Sequence, residues 1–369
     1  MRVGLVVEQC LAPVPGGTGR YAYEVAAALA RSAPPGSTVT GWSAWHRHPG
    51  AAVVPGVRGP RRLPLGRRTL TAAWERGVGP APRTVDLVHA PTLLFPPRRW
   101  RPLVVTMHDT VPWTHPETLT ARGVAWHRAA AARAAREADL VVVPTEAVAT
   151  ELAELLPLRA RPLVVGEGVS AGLVVPPDAD QRAARLRLPT GGYLATLATL
   201  EPRKGLDVAI AALARPGAPA LPLLVAGQPG WGGLDLPGAA AARGLAPDRL
   251  RLLGRLDDAD LAVLLSRAIA VVLPSRAEGF GLPLLEAMSL GTPTVIADAP
   301  ALVEVAGGAA LVVPREDAAA LAAALGRLAA DASLRGGVAA AGRRRAAAYS
   351  WDDAARRLWT AYAELLAPQ

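Results

Sequence analysis

Between Val271 and Asp298 the chain reads V-V-L-P-S-R-A-E-G-F-G-L-P-L-L-E-A-M-S-L-G-T-P-T-V-I-A-D. An apolar strand runs into a turn cleared by Gly279, Phe280 and Gly281, a helix is predicted to open at Pro283, and a second apolar run follows at Thr294–Ala297. Proline suits the first helical position, where its missing N–H has no partner to lose. Strand, helix and strand joined this tightly demand a parallel sheet, because the helix must carry the chain back to the end where it started. The start of such a helix presents free backbone N–H groups and partial positive charge, a combination that suits a phosphate. Glu278 is expected on the loop at the mouth of the crevice, and Glu286 on the first helical turn. An ordinary strand-to-helix connection with two solvated carboxylates is the alternative. The glycines, Phe280 and Pro283 between the glutamates weigh against it.

The same alternation recurs along the chain. A first strand Arg2–Val7 leads through a Pro/Gly-rich loop, Pro13 to Gly19, into a helix predicted over Tyr21–Arg31; apolar runs follow at Val85–His89, Leu103–His108 and Leu140–Pro144, with a helical stretch Arg122–Ala138 between the last two. After an irregular segment from Gly166 to Asp178 the pattern restarts with strands Tyr193–Thr196, Leu221–Gly227, Leu250–Leu253 and Ala270–Leu273 and helices Leu206–Leu213 and Asp258–Arg267. The expected fold is α/β, with two doubly wound parallel-sheet (Rossmann-like) domains, residues 1–168 and 169–350, facing a central cleft. At 369 residues the chain suits two cores better than one. Ser350, Asp353 and the spacing of Trp351, Leu358, Trp359, Tyr362 and Leu365 predict a capped, packed terminal helix over about 351–369, placed on the first domain and without a chemical role.

Charge is distributed unevenly. The net charge is +9, of which residues 1–168, with 20 Arg and 12 acids, carry +8, and all six histidines lie in that half. A basic half calls for an acidic partner, either a phosphorylated acceptor or peripheral contact with an anionic membrane; a solvated Arg-rich surface is the plain alternative. Nucleic acid is disfavoured, since no basic stretch is interleaved with stacking aromatics. No apolar run is long enough for a membrane span, and the N-terminus reads as a strand, not a secretory signal. The single cysteine, Cys10, can form no internal disulfide, and the chain is expected in a reducing cytoplasm, peripheral at the inner face of the membrane if it meets one. Of 40 basic residues only Lys204 is lysine, a bias that resembles a GC-rich bacterial source and marks position 204 as one where the larger arginine fork does not fit.

Three further segments are placed to do chemistry. Thr199-Leu-Glu-Pro-Arg-Lys-Gly puts Arg203 and Lys204 at a strand end, where two cations can hold a pyrophosphate and stabilise charge as it departs. Pro15-Gly-Gly-Thr-Gly-Arg-Tyr follows the first strand. With Ala22 its Gly17 and Gly19 match a dinucleotide-binding pattern, but no acid lies between Glu24 and Glu75 to hold a ribose, so a loop admitting a sugar or phosphate fits better. His108-Asp109 ends a strand; His108 can donate to a sugar hydroxyl or leaving phosphate with Asp109 orienting it, or the pair can simply cap a turn. His89 is a weaker candidate of the same kind. No zinc spacing and no nucleophile elbow is present.

Taken together, T-L-E-P-R-K-G, L-G-R-L-D-D-A-D-L (253–261), P-S-R-A-E-G-F-G-L-P-L-L-E-A-M-S-L-G-T-P-T-V and the S-W before the last helix resemble glycosyltransferase family 4, the retaining group 1 glycosyltransferases of GT-B fold. G-G-T-G-R-Y and T-M-H-D are similar to that family's acceptor-domain loops. The resemblance implies an N-terminal acceptor-binding domain and a C-terminal donor-binding domain. It implies that Glu286 binds the nucleotide ribose, that Glu278 sits beside the donor sugar, that backbone amides of Gly279, Phe280, Gly281 and Leu282 meet sugar and phosphate, and that Arg203 and Lys204 grip the pyrophosphate. His108 and the Gly17–Gly19 loop would face the reacting centre. Two positions depart from the family pattern: Ala198-Thr199-Leu200 stands where many members have G-R-L, so that Arg203 would replace a missing cation, and Gly308 stands where an acid is common. The implied reaction moves a hexosyl group, mannosyl being one candidate, to a hydroxyl acceptor (a glycan, a lipid-linked glycan or a small molecule), with no metal and no cofactor beyond the nucleotide sugar as co-substrate. GDP-mannose is the preferred donor, ahead of UDP- and dTDP-sugars. A nucleotide-sugar epimerase on the same fold and a non-catalytic nucleotide-sugar-binding protein are the alternatives.

Overall fold

The computed structural model describes residues 1–230 and 232–367. Two compact units are present. The first comprises Met1–Trp113, Ala121–Gly168 and Ser350–Gln369; the second comprises Thr114–Thr120 and Val169–Tyr349.

In the first unit seven strands, β1 (Arg2–Val6), β2 (Thr38–Trp45), β3 (Arg58–Gly66), β4 (Leu87–Ala90), β5 (Leu103–Thr106), β6 (Leu140–Val143) and β7 (Leu163–Val164), form one sheet. Their order is β3-β2-β1-β4-β5-β6-β7, and each neighbouring pair is parallel. The second unit repeats the plan with β8 (Leu194–Leu197), β9 (Leu223–Ala226), β10 (Leu250–Gly254), β11 (Ala270–Leu273), β12 (Thr294–Ala297) and β13 (Leu311–Val313), in the order β10-β9-β8-β11-β12-β13. In both sheets the strand order reverses beside the first strand, between β1 and β4 and between β8 and β11. In sheets of this kind ligands bind beyond the carboxyl ends of the strands at that reversal.

The central strands are short apolar runs because both faces are covered by helices. All four residues of β5, β11 and β12 are buried. The edge strand β3 differs: its sequence R-G-P-R-R-L-P-L-G is mostly exposed and carries two prolines. Proline is tolerated there because an edge strand leaves some backbone N–H groups unpaired. Its register against β2 shifts twice.

Two local expectations are corrected. The Pro/Gly-rich segment expected as loop through Gly19 is helical from Gly16, within the helix Gly16–Arg31. The Gly19 amide donates to the Pro15 carbonyl at 2.9 Å and closes the first turn. A Cβ at position 19 would lie 2.4 Å from Cβ of Pro15, so glycine makes this turn possible. The helix expected from Pro283 runs over Leu282–Ser289 with Gly281 ahead of it at φ 97°. Glu286 is therefore the fifth helical residue, beyond the first turn, and its side chain is buried.

The last helix, Trp351–Leu366, is capped by Ser350, whose hydroxyl accepts from the Asp353 amide at 3.0 Å; positions 368 and 369 of the expected helix lie outside the described residues. It packs within the first unit. Trp359 Nε1 donates to the Leu29 carbonyl at 3.1 Å, and the Tyr362 hydroxyl meets His89 Nδ1 at 2.6 Å. His89 also contacts Thr106 Oγ1 at 2.9 Å. Burial, reinforced by the nearby His108, drives its pKa down to about 3, so His89 is a neutral buried strut. Among the described residues no helix is long and apolar enough to cross a membrane.

Candidate active site

In the second unit, two loops meet at the reversal between β8 and β11. The loop after β8 carries Glu201, Arg203 and Lys204, and the loop after β11 carries Ser275, Arg276 and Glu278. Gly205, at φ 62°, allows this approach: a Cβ there would lie 2.0 Å from the Pro274 carbonyl oxygen. No other residue type fits that contact without moving backbone. Arg276 pins the same junction. Its amide donates to the Arg203 carbonyl at 2.8 Å, its guanidinium donates to the Pro202 carbonyl at 2.5 Å, and two further bonds reach the Asp207 carboxylate at 3.0 and 2.8 Å.

At the centre is Glu278, 9% exposed. Its Oε1 accepts from Lys204 Nζ at 2.7 Å and from the Ser275 hydroxyl at 2.8 Å, while Oε2 accepts from Arg203 Nη1 at 2.8 Å. Burial alone would raise its pKa. The charges of Lys204 and Arg203 outweigh burial and, with the hydrogen bonds of Lys204 and Ser275, hold it at about 2. Glu278 is accordingly ionised and engaged on both oxygens, which counts against the alternative of a solvated loop carboxylate. Arg203 bridges further, donating through Nε and Nη2 to Glu201 Oε1 at 3.1 and 2.7 Å. Burial pushes the Glu201 carboxyl above its ordinary value against the pull of Arg203 and Lys204.

The turn that follows is set by packing. Gly281 has no room for a side chain, since a Cβ would come 2.4 Å from Leu302. Phe280 is buried, edge-on to Tyr349 with ring centroids 5.5 Å apart. Its ring is a core anchor, so what Gly279, Phe280, Gly281 and Leu282 can offer a ligand is backbone at a helix start. Glu286 lies one turn into that helix, 1% exposed.

In the first unit the candidates are arranged differently. Gly17 lies in the first turn of its helix with open space where a Cβ would be, whereas Gly19 is demanded by Pro15. His108, beyond the end of β5, packs edge-on to Tyr21 at 4.6 Å, and its Nε2 donates to the Pro91 carbonyl at 2.8 Å. Its Nδ1 faces Glu167 Oε1 at 3.8 Å. Asp109, expected to orient His108, instead accepts the Val111 amide at 3.2 Å. Glu167 takes the place beside the imidazole because the chain returns there after β7, a proximity that spacing along the sequence does not reveal. Burial pulls the His108 pKa down. The hydrogen bond and charge of Glu167, with smaller help from the Pro91 carbonyl and Asp109, overcome burial and leave it raised.

Sequence reasoning missed Ser275, Arg276, Glu201 and Glu167. Ser275 and Arg276 stand inside the motif quoted for the loop, and their polar character beside Glu278 was a usable signal. Among the described residues no group of three or more His, Cys, Asp or Glu side chains is disposed to hold a metal ion.

Comparison with known proteins agrees with this architecture. The family Glycosyl transferases group 1 matches residues 177–345, and Glycosyltransferase Family 4 matches residues 15–171. The O-antigen chain mannosyltransferase B of Escherichia coli is 30% identical over 282 residues, covering 75% of this chain and 74% of that protein. The D-inositol 3-phosphate glycosyltransferase of Salinispora tropica is 36% identical over 256 residues, 63% of this chain but only 52% of its own length. Among solved structures, sucrose-phosphate synthase from Thermosynechococcus elongatus superposes with a TM-score of 0.78 at 23% identity, covering 99% of both chains. The Anabaena protein HepE in complex with UDP-glucose gives 0.76 at 19% identity, covering 99% of this chain and 100% of its own. These likenesses extend to the fold, and the family matches span both units: the chain belongs to the group 1, family 4 glycosyltransferases and has their GT-B fold.

Proposed function

We propose that this glycosyltransferase takes a hexosyl group from a nucleotide sugar and moves it to a hydroxyl acceptor with retention at the anomeric carbon and without a metal ion. The observation that carries the reading is the junction of Arg203, Lys204 and Glu278 at the strand reversal, next to the start of the helix Leu282–Ser289. A nucleoside diphosphate leaving group needs positive charge where its oxygens develop negative charge. Arg203 and Lys204 are two fixed cations in that position, and their pairing with Glu278 keeps them oriented before the donor arrives. Glu286, one turn deeper in the same helix, is assigned to the ribose hydroxyls.

In this reading the bond from the anomeric carbon to the diphosphate oxygen breaks, and the acceptor oxygen bonds to the same face of that carbon. The acceptor proton passes to the departing diphosphate. Glu278 does not attack: with three donors on its two oxygens and a pKa of about 2 it is a weak base, and its part is to hold the cations and the sugar. The chain supplies positioning and charge stabilisation.

Mannosyl from GDP-mannose is the preferred donor. The mannosyltransferase name of the Escherichia coli relative supports it, and the UDP-glucose bound to HepE keeps UDP-sugars as the competing choice. A thermal-shift panel of GDP-, UDP- and dTDP-sugars tests this, because a saturating donor stabilises the folded protein by mass action. The matching donor should raise Tm above the other nucleotides. Proton NMR of the product should show the donor's anomeric configuration, and excess EDTA should leave the rate unchanged. An inverted product, loss of activity in EDTA, or altered sugar released without acceptor would overturn the respective parts of the reading.

A further inference from the structure

Phe280 stands just ahead of the helix Leu282–Ser289, and its ring leans on residues far outside the motif that surrounds it. The helix Ala332–Ala346 packs against Leu282–Ser289, so closely at Gly342 that a Cβ there would lie 3.2 Å from Met288 Cγ. Beyond Ala346 the chain turns, with the Tyr349 amide donating to the Ala346 carbonyl at 3.0 Å. This turn sets the half-buried Tyr349 ring edge-on to Phe280, centroids 5.5 Å apart.

Tyr349 has a second partner. The guanidinium carbon of Arg345 lies 5.0 Å from the centre of its ring, and Arg345 Nη2 donates to its hydroxyl at 2.9 Å. The same guanidinium closes the end of the helix Pro300–Ala306: Nε donates to the Val305 carbonyl at 2.9 Å and Nη2 to the Glu304 carbonyl at 2.8 Å. Gly307 leaves the space for it, since a Cβ at that position would lie 2.6 Å from Arg345 Nε. Leu302, in that helix, is the residue against which Gly281 packs. The contacts close a circuit within the second unit: Phe280 to Tyr349, Tyr349 to Arg345, Arg345 to the helix Pro300–Ala306, and that helix through Leu302 back to Gly281.

The circuit grips the two residues, Phe280 and Gly281, that set the backbone of the turn, and backbone is what this turn can offer a ligand. Arg345 is bonded to three oxygens, so it cannot swing away without leaving polar groups unpaired. The cations are fixed separately, by Gly205 and Arg276. Both sides of the junction are thus held by residues that need not touch the substrate, the arrangement a precisely placed site requires.

We propose that Tyr349 is a positioning residue for the donor: backed by Arg345, its ring fixes Phe280, and with it the backbone of Gly279, Phe280, Gly281 and Leu282, against the diphosphate end of the nucleotide sugar. This rests on the transferase reading above and adds a residue that acts only through Phe280. Without the ring the turn drifts from the outer phosphate, while the contacts of the nucleoside, assigned to Glu286, remain.

The test is calorimetric titration of the full-length protein with UDP and UMP and with GDP and GMP, together with hydrogen exchange of the backbone. Tyr349→Leu should weaken the diphosphate that matches the donor about tenfold, the scale of one lost aromatic contact, and leave its monophosphate within about twofold. Exchange at residues 279–282 should quicken, while unchanged exchange in β9 shows that the second unit is still folded. Tyr349→Phe keeps both ring contacts and should restore most of the affinity. Arg345→Lys, which withdraws the planar fork from the Tyr349 hydroxyl but keeps the charge, should act in the same direction by about threefold. Equal weakening of mono- and diphosphate, or exchange at 279–282 indifferent to both Tyr349→Leu and Arg345→Lys, overturns the positioning role. Quickened exchange in a protein whose wild type binds none of the four nucleotides would count against the transferase reading and leave the fixing of the turn by Tyr349 standing.

Discussion

The two units share a sheet plan but build their sites in opposite ways. In the second unit the charged groups come from two short loops, residues 199–205 and 274–281, and are compressed into a compensated knot: Glu278 meets three donors within 2.8 Å and its pKa falls to about 2. In the first unit the polar groups are scattered along the chain, with Glu8, His46, Arg67, His108 and Glu167 each arriving from a different segment. The difference teaches what each site can tolerate. A knot of short loops fails when one backbone contact is disturbed, whereas a dispersed site loses its members one by one.

The largest test of this contrast is Gly205→Ala. A methyl group 2.0 Å from the Pro274 oxygen, at a positive φ, must separate the two loops. Chemical denaturation should show a loss of about 3 kcal/mol, with donor binding abolished. Stability near wild type would mean the loops are not held by that approach.

Lys204→Ala comes next, with kcat/KM reduced ~100-fold, the scale of one lost charge contact to a leaving group. Lys204→Arg should recover only part of this, because Lys204 is 13% exposed beside Arg203 and its point-like ammonium meets Glu278 at 2.7 Å. Full activity in the arginine variant would sink the argument from size.

In the first unit Tyr362→Phe removes a hydrogen bond to buried His89 and should cost about 1 kcal/mol in denaturation. The two histidines there respond to pH with opposite sign. His89 is held neutral with its pKa at about 3, so stability falls as pH drops below the ordinary histidine value, where the unfolded chain takes up a proton and the folded one does not. His108 has a raised pKa; its pairing with Glu167 contributes fully below the ordinary histidine value, and that contribution is lost as pH rises through the raised one. Glu167→Gln should move the His108 titration, followed by NMR of its ring protons, to lower pH.

Asp109→Asn is the smallest change and should shift that titration less than Glu167→Gln, since Asp109 faces the Val111 amide. A larger shift from Asp109 would restore it as the orienting group.

These contrasts follow what could be read in advance. Residues 206–213, 270–273 and 294–297 take the helix and strands that their apolar pattern predicts, because buried parallel strands and their covering helices leave little choice. The strand β3 did not stand out. Its arginines and prolines follow no alternation, and it exists as a strand because β2 offers a free edge. Arg203, Lys204 and Glu278 were legible as candidates because they stand in compact motifs beside strand ends. Their mutual neutralisation was not, since it depends on Gly205 meeting Pro274 across a gap of 69 positions in the chain. Asp109 was chosen for His108 by adjacency, and adjacency was the wrong guide: consecutive residues beyond a strand end point in different directions.

By itself, then, the sequence determined the alternation of elements, the two parallel sheets and the identity of the charged residues at the strand ends, all of which depend on local pattern and side-chain chemistry. Tertiary structure alone decided the partners: Glu278 with two cations and a serine, His108 with Glu167, and Glu8 with His46 and Arg67. Partnership between charges is a matter of distance and burial, and neither exists until separate strand ends are brought side by side.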